Sequence, residues 1–211
     1  MPLPLLIRPI LVLPLLLAAC ASEVPAPRTL ALQAIPGKLP AAAGAASAAM
    51  APNPASVDVV VDRVILPDLI KRNTLLERIA PGEVVYHDAA RWAEPLSEAL
   101  PRVLADDLST RLSRSVGLNK LRPLSNTAAP AWLLWVDVRR LEVDPQGQVT
   151  LVALWTWQRE GTSNTHWQQG HFTATASSRD PERVAYAHSQ VLSEFAQAIA
   201  TGFAQGIWAA P

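Results

Sequence analysis

The sequence predicts a single α+β domain over residues 28–208, in which an antiparallel-rich mixed sheet packs against two long helices. Two long segments of strand character, Trp132–Val143 and Gln148–Arg159, are separated by a turn signal. Helical spacing of apolar residues begins near Pro95, and a second helical stretch follows Asp180-Pro181. The chain of 211 residues is long enough for one such domain after removal of a leader.

The N-terminal 19 residues have the character of a cleaved signal peptide. Arg8 supplies a positive charge, Ile10–Leu17 an apolar stretch, and small residues precede Cys20. The alternative is an uncleaved anchor, but prolines interrupt the apolar run, which is shorter than the roughly 20 residues of a spanning helix. Leu17-Ala18-Ala19-Cys20 resembles the lipobox of bacterial lipoproteins, whose cysteine is acylated.

Cys20 is the only cysteine, so neither an internal disulfide nor a zinc site with four cysteine ligands is possible. Acylation explains this lone thiol, and two or three acyl chains make membrane attachment effectively permanent. Ala21 and Ser22 follow, whereas enterobacterial lipoproteins retained in the inner membrane carry an aspartate there. We therefore expect an anchor in the outer membrane, with the domain on its periplasmic face.

The first half of the mature chain is predicted to begin with a tether, residues 20–27, and a strand at Arg28–Ala34. Residues 36–55 are rich in Ala, Pro, Gly and Ser, which predicts a flexible loop inside the domain. A β-branched strand, Ser56–Leu66, ends at Pro67.

A hairpin and a helix come next. Thr74–Ala80 and Glu83–Asp88 are predicted to pair around the turn Pro81-Gly82. The helix opens at Pro95, where proline suits the first turn. Pro101 falls inside it and predicts a kink or a later start.

In the second half, a short strand is predicted after a glycine cap, followed by three antiparallel strands and a helix with a capping aspartate. Both faces of the middle antiparallel strand are largely apolar, so we expect it to be buried on both sides, or nearly so. The predicted elements are Gly117 as cap, Leu118–Leu124, Trp132–Val143, Gln148–Arg159, Thr165–Ser177, and the helix after the cap Asp180.

No catalytic, cofactor-binding or metal-binding motif is present, so we expect a protein that is not an enzyme and holds no cofactor or metal. His166 and His171 are five residues apart on a predicted strand and point to opposite faces, a poor spacing for one metal. The adjacent Asp106 and Asp107 are expected on a solvated helix face. A catalytic set assembled from distant residues stays open.

Charge and aromatic content narrow the possible partners. Without the leader, the chain has 17 basic and 18 acidic residues and no basic run, which excludes nucleic acid as a partner.

Five of the seven tryptophans fall on predicted strands, where packing in the core or across strands is favoured over an exposed aromatic surface. They are Trp132, Trp135, Trp155, Trp157 and Trp167.

Four ordered segments carry a family resemblance: Val64–Leu69, Arg91–Leu96, Val103–Leu112 and Gly147–Trp157. With the lipobox and the C-terminal helix, this set resembles the ABC-type transport auxiliary lipoproteins. The resemblance implies a non-catalytic subunit that supports envelope integrity. It would dock a periplasmic lipid conduit of the mammalian-cell-entry (MCE) type at the outer membrane, as a homo-oligomer. The alternatives are a periplasmic ligand-binding or hydrolytic lipoprotein unrelated to lipid transport, and a structural lipoprotein of another envelope machine.

The predicted partner-binding residues flank strand and helix ends, where scaffolds commonly place binding residues. The alternative is that Leu66, Trp92 and Leu96 simply pack the helix onto the sheet. The predicted residues are Leu66, Pro67, Asp68 and Leu69 in the first segment, and Arg91, Trp92, Glu94 and Pro95 in the second.

Overall fold

The computed structural model describes residues 26–35, 59–113, 115–118, 131–162 and 166–206. The predicted signal peptide, Cys20 and the predicted loop 36–55 lie outside these described residues, as does most of the predicted strand Leu118–Leu124.

The predicted α+β class is confirmed: the described residues form one open, mixed sheet of eight strands with two long helices. The long strands and both helices begin and end close to their predicted bounds. The elements are β1 (Arg28–Leu30), β2 (Val59–Ile65), a 3-10 turn (Asp68–Ile70), β3 (Thr74–Ala80), β4 (Glu83–Trp92), α1 (Leu96–Leu112), β5 (Val116–Leu118), β6 (Trp132–Val143), β7 (Gln148–Arg159), β8 (Gln168–Thr175) and α2 (Pro181–Ala204).

Strand β6 organises the sheet. Along one edge it pairs with β7 over its whole length, and β7 pairs with β8, both antiparallel. The other edge is shared: β2 runs parallel to the first half of β6, and β3 meets its end where Glu77 pairs with Val143. Beyond β2 lies β5, and beyond β3 lie β4 and then β1. The β3–β4 hairpin turns at Gly82, whose φ of 83° suits glycine.

Both helices cover the same face of the sheet. α2 packs on β7, β8 and β1, while α1 packs on β2, β5 and α2. Alternation along β7 directs Trp155 and Trp157 to this face, where Trp155 meets the fully buried Phe195 of α2 at a ring-centroid distance of 5.3 Å. The hydrophobic core therefore lies between one sheet face and the two helices.

Among the described residues no helix lies on the opposite sheet face, so β7, predicted to be buried on both sides or nearly so, is less buried on that face than on the helix side. Thr150, Val152 and Leu154, which point to that face, are half-buried, whereas Thr156 is 1% exposed. The reason is that the two long helices pack beside each other on one face instead of on opposite faces.

Helix α1 tolerates Pro101 and does not start later than predicted. Leu96 is its first residue, and the helix runs unbroken to Leu112. A proline at 101 deprives the Ser97 carbonyl of its helical donor, but Ser97 is exposed, so water can hydrate that carbonyl. The helix ends at Ser113 in the left-handed conformation (φ 51°), whereas Gly117, predicted as the cap, lies within β5.

Helix α2 begins with proline at its first position, as predicted, but the side chain of Asp180 does not cap it. The Asp180 carboxylate instead forms an ion pair with Arg28 of β1. The amides of Arg183 and Val184 reach the backbone carbonyl of Asp180. The residue thus fixes the start of α2 through its backbone and fastens β1 through its side chain.

Asp107 corrects the prediction of a solvated acidic pair. Asp106 is exposed, but Asp107 is fully buried and accepts hydrogen bonds from the Ile35 amide and the Arg111 guanidinium, both at 3.1 Å. Burial raises the pKa of Asp107, and the charge of Arg111 opposes that rise. Because Arg111 also donates to Ser193 of α2 (2.6 Å), this network fixes the segment after β1 between the two helices.

The strand tryptophans divide between core and surface. Trp155 and Trp157 are buried, Trp132 and Trp135 are half-buried, and Trp167 is 44% exposed.

Among the described residues, neither helix combines the length and apolar character needed to cross a membrane.

Candidate functional site

The two segments predicted to bind a partner contain both core and surface residues. Leu66 and Trp92 are each only 5% exposed and belong to the hydrophobic core. Trp92 lies edge-on to His188 of α2, with ring centroids 5.3 Å apart. These two side chains pack the sheet against the helices, so their contribution to a docking surface is to position their neighbours.

The 3-10 turn displays the rest of the first segment. Pro67 sets an extended backbone before the turn, and Ile70 is buried at its end. Ile70 thereby fastens the turn to the core, leaving Leu69 40% exposed and Asp68 fully at the surface. Lys71 donates to the Asp68 carboxylate at 2.6 Å and lowers the pKa of that carboxyl.

Three contacts join the turn to β4. The Tyr86 hydroxyl donates to the Leu69 carbonyl at 3.1 Å, and the Arg72 guanidinium lies 4.4 Å from the centroid of the Tyr86 ring. Next to them, the Trp92 amide donates to the Asn73 carbonyl at 2.7 Å. The structure thus assembles a small surface with an aliphatic centre and a charged rim, here called the turn surface: Pro67, Asp68, Leu69, Arg72 and Tyr86.

The second predicted segment contributes less to this surface. Arg91 is exposed and its Nε donates to the Asp88 carbonyl (3.2 Å), beside Thr74 in the β3–β4 register. Glu94 forms an ion pair with Arg102 of α1, and Pro95 starts that helix. Arg91 therefore borders the strand end that carries the turn surface, whereas Glu94 is engaged with the helix.

Arg72 and Tyr86 are the surface residues that sequence reasoning missed. Neither belongs to a motif, and they are 14 positions apart: Arg72 lies between the 3-10 turn and β3, and Tyr86 lies on β4. Their contact is a tertiary one. The one available signal was the predicted hairpin, since it already placed Thr74–Ala80 beside the strand that contains Tyr86.

A buried polar cluster lies elsewhere, against the start of α2. Glu77 is 5% exposed and binds His87 Nε2 and Arg179 Nη2, each at 2.6 Å. Burial opposes the charge of Glu77, but the hydrogen bonds from Arg179 and His87 prevail and lower its pKa.

The cavity beside this cluster measures about 100 Å³ and offers no serine, threonine or cysteine nucleophile. Both Glu77 oxygens are engaged, one with His87 of the same hairpin and one with Arg179 just before α2, so the cluster does not favour the hydrolytic alternative. Within the described ranges, no three His, Cys, Asp or Glu side chains are grouped to hold a metal.

Comparison with known proteins identifies the family. A family model described as ABC-type transport auxiliary lipoprotein component matches residues 38–200. No curated protein matches the chain. A crystal structure of an uncharacterised protein has a TM-score of 0.60 at 18% identity, covering 69% of this chain and 92% of its own.

A crystal structure of a protein from Xanthomonas campestris has a TM-score of 0.57 at 18% identity, covering 82% of this chain and 91% of its own. At this identity the two structures establish the shared fold. The family model spans most of the chain, and the chain therefore belongs to the ABC-type transport auxiliary lipoprotein family.

Proposed function

We propose that this protein is a non-catalytic lipoprotein subunit of an MCE-type intermembrane lipid transport system. It docks the periplasmic conduit at the outer membrane as a homo-oligomer and so supports envelope integrity. The observation that carries the proposal is membership of a transport auxiliary lipoprotein family. The part of the chain that the structure describes fits a binding role, because its buried carboxylates, Glu77, Asp107 and Glu142, are all paired with arginines around a packed core.

Lipid on Cys20 sets the reach of the domain in this proposal. Seven residues lie between Cys20 and Arg28, where β1 starts, and the eight Cα–Cα steps span at most about 28 Å at about 3.5 Å each. The domain is thereby confined to the periplasmic layer next to the outer membrane. A partner must come to this layer to be bound.

We expect the mature protein to begin at Cys20 and to carry two or three acyl chains. Intact-mass spectrometry of the protein extracted from membranes measures this directly. The variant Cys20→Ala should lose the lipid mass and leave the detergent-extracted membrane fraction. An unmodified cysteine, or a leader still attached in the wild-type protein, would contradict the anchor.

The turn surface is the proposed contact with the MCE protein. Leu69 supplies exposed aliphatic area, and Tyr86 and Arg72 hold the turn in a fixed conformation beside it. A rigid apolar centre with a polar rim is the usual anatomy of a protein interface.

We expect Leu69→Asp to reduce co-purification of the full-length lipoprotein with its MCE partner about tenfold or more, because a charge then enters the apolar centre. The matched control is Ile79→Asp on β3, since Ile79 is 39% exposed and equally aliphatic. Partner recovery is quantified after affinity purification from detergent extracts of cells that express both proteins.

The two variants test whether the turn surface is the contact, and the wild-type protein tests the proposed function itself. Loss of the partner with Ile79→Asp and retention with Leu69→Asp would place the contact elsewhere on the domain. Failure of the wild-type protein to recover an MCE protein encoded beside its own gene would refute the proposed function itself.

A further inference from the structure

Strand β8 ends the sheet with a long open edge. Among the described residues it pairs only with β7, through eight consecutive residue pairs without a register shift. Its side chains alternate between half-buried and exposed. The exposed ones are Gln169, His171, Thr173 and Thr175.

The hydrogen-bonding pattern between β8 and β7 shows which backbone groups of β8 are free to pair with a further strand. The Ala176 amide donates to the Gly147 carbonyl at 2.9 Å, and this contact continues the register in which Ala174 opposes Val149. Bonded and non-bonded pairs alternate along an antiparallel ladder. Gln168, Gly170, Phe172 and Ala174 therefore bond to β7, whereas the amides and carbonyls of the four exposed residues point away from the sheet.

Within the part of the chain that the structure describes, this edge has none of the usual protection. Natural edge strands are shortened, charged, bulged or interrupted by proline, which prevents unwanted strand pairing. The other two ends of the sheet follow this rule, since β1 and β5 have three residues each. Strand β8 has eight residues and contains no proline, lysine, arginine, aspartate or glutamate.

Contacts with the hydrophobic core also fix the position of β8. Phe172 packs on Phe195 (5.4 Å between ring centroids) and on Trp155 (6.3 Å). Its ring lies over Gly170 so closely that a Cβ there would come within 2.6 Å of it. Because these contacts fix β8 from the helix side, a second strand would meet a preformed template and would not have to order it.

We propose that β8 pairs, antiparallel, with β8 of a second copy of this chain about a twofold axis at Phe172. In this register Gln169 lies opposite Thr175 of the second copy, and His171 opposite Thr173 of the second copy. Every outward amide and carbonyl from residue 169 to 175 is then bonded. Registers centred on other residues leave some of these groups unpaired.

The composition of the strand favours a second copy as the occupant. Two identical strands repel each other when like charges are opposed, and β8 carries no carboxylate, ammonium or guanidinium group. The facing side chains are amide, hydroxyl and imidazole groups, which both donate and accept hydrogen bonds. An isologous contact of this kind is the commonest way in which soluble chains self-associate.

The inference rests on the proposed function in one respect, the homo-oligomer, for which it supplies an interface. A single strand pair buries a small area, so it needs a high local concentration. Copies anchored in one membrane by short tethers meet that need, because confinement to a plane raises the effective concentration.

Two charge variants of the full-length protein test the edge and its register. His171→Lys with Thr173→Lys opposes like charges at the central pairs, and His171→Glu with Thr173→Glu does the same with negative charge. Each variant alone should self-associate at least tenfold more weakly than the wild type. An equimolar mixture should restore the dimer, because lysines then face glutamates. Energy transfer between donor- and acceptor-labelled lipidated proteins in phosphatidylcholine vesicles, where the anchors keep the copies in one plane, measures their self-association.

The matched control is Gln197→Lys with Thr201→Lys, which adds the same charge to an exposed face of α2. It should leave self-association unchanged. Restoration of the dimer by mixing also shows that both edge variants are folded, since unfolded chains would not recombine.

The possible failures are distinguishable. A wild-type protein that is monomeric overturns the interface and the homo-oligomer, but leaves docking to an MCE protein intact if the partner still co-purifies. An oligomer insensitive to the edge variants, or a mixture that stays monomeric, overturns the interface alone. Loss of the MCE partner from the edge variants with unchanged self-association assigns β8 to the conduit and likewise overturns it.

Discussion

Replacing Trp92 with alanine is expected to lower the free energy of unfolding by about 4 kcal/mol, as truncation of a large buried aromatic side chain does. Trp92 is 5% exposed at the end of β4 and contacts the His188 ring of α2. Its removal leaves a cavity between the sheet and the helix that the surrounding side chains only partly fill. The same residue was predicted to bind a partner, so the substitution also separates the two roles.

Urea titration of the full-length protein, followed by circular dichroism, measures this loss. Trp167→Ala is the control, because Trp167 is 44% exposed and its truncation should change the unfolding free energy by no more than about 0.5 kcal/mol. If Trp92→Ala unfolds at the wild-type urea concentration but no longer recovers the MCE protein, Trp92 binds the partner directly and the packing assignment is wrong.

Acidification from pH 6.5 to pH 4 is expected to remove about 3 kcal/mol of stability through His188 alone. His188 is 3% exposed, and its Nδ1 donates to the Val184 carbonyl at 2.8 Å. Burial disfavours the imidazolium and lowers the pKa of His188 to about 4 from its ordinary 6.5. Between these values the unfolded chain binds a proton that the folded domain does not, so stability is complete above pH 6.5 and falls toward pH 4.

The measurement is a series of urea titrations between pH 7 and pH 4. His188→Leu should flatten the curve in this window, because leucine does not titrate and has a similar size. Glu77, whose pKa is lowered in the folded domain, loses its stabilising contribution only as the pH falls below its ordinary value of 4.5. Asp107, whose pKa burial raises, acts in the opposite sense and gains stability as the pH falls. Both groups are present in His188→Leu, so the difference between the two curves reports His188. An unchanged slope in His188→Leu would mean that another group controls the acid response.

Sequence patterns predicted the long elements well where the local alternation of apolar residues agrees with the pairing of strands in the fold. The bounds of β6 and β7 are those predicted, because alternating apolar residues flank a turn that only these two strands share. Asp107 shows the limit of such patterns. The local sequence around Asp107, next to Asp106, gives no sign that its side chain is buried. One partner of its carboxylate is the Ile35 amide, from a segment 72 positions earlier in the chain.

The candidate site was predicted only in part for the same reason. The segment Leu66–Leu69 was found from its position after a strand, but which of its residues point outward depends on how Ile70 enters the core. Arg72 and Tyr86 join the surface through contacts between elements. Alternation placed Trp157 and Trp155 correctly on one face of β7, yet it could not show that both described helices pack on that same face.

The fastening of β1 has a mechanical consequence for an anchored protein. In the proposed anchored state, tension between the bilayer and a docked partner would enter the described domain near Arg28. Because β1 lies parallel to β4, a pull along β1 would load the strand in shear. The force is shared by the ladder to β4 and the Arg28–Asp180 pair, and then by the Gln33 amide on Ser189 (3.2 Å) and the Ile35 amide on Asp107. Thermal motion of the two membranes would be absorbed by these contacts before it reached the hydrophobic interior.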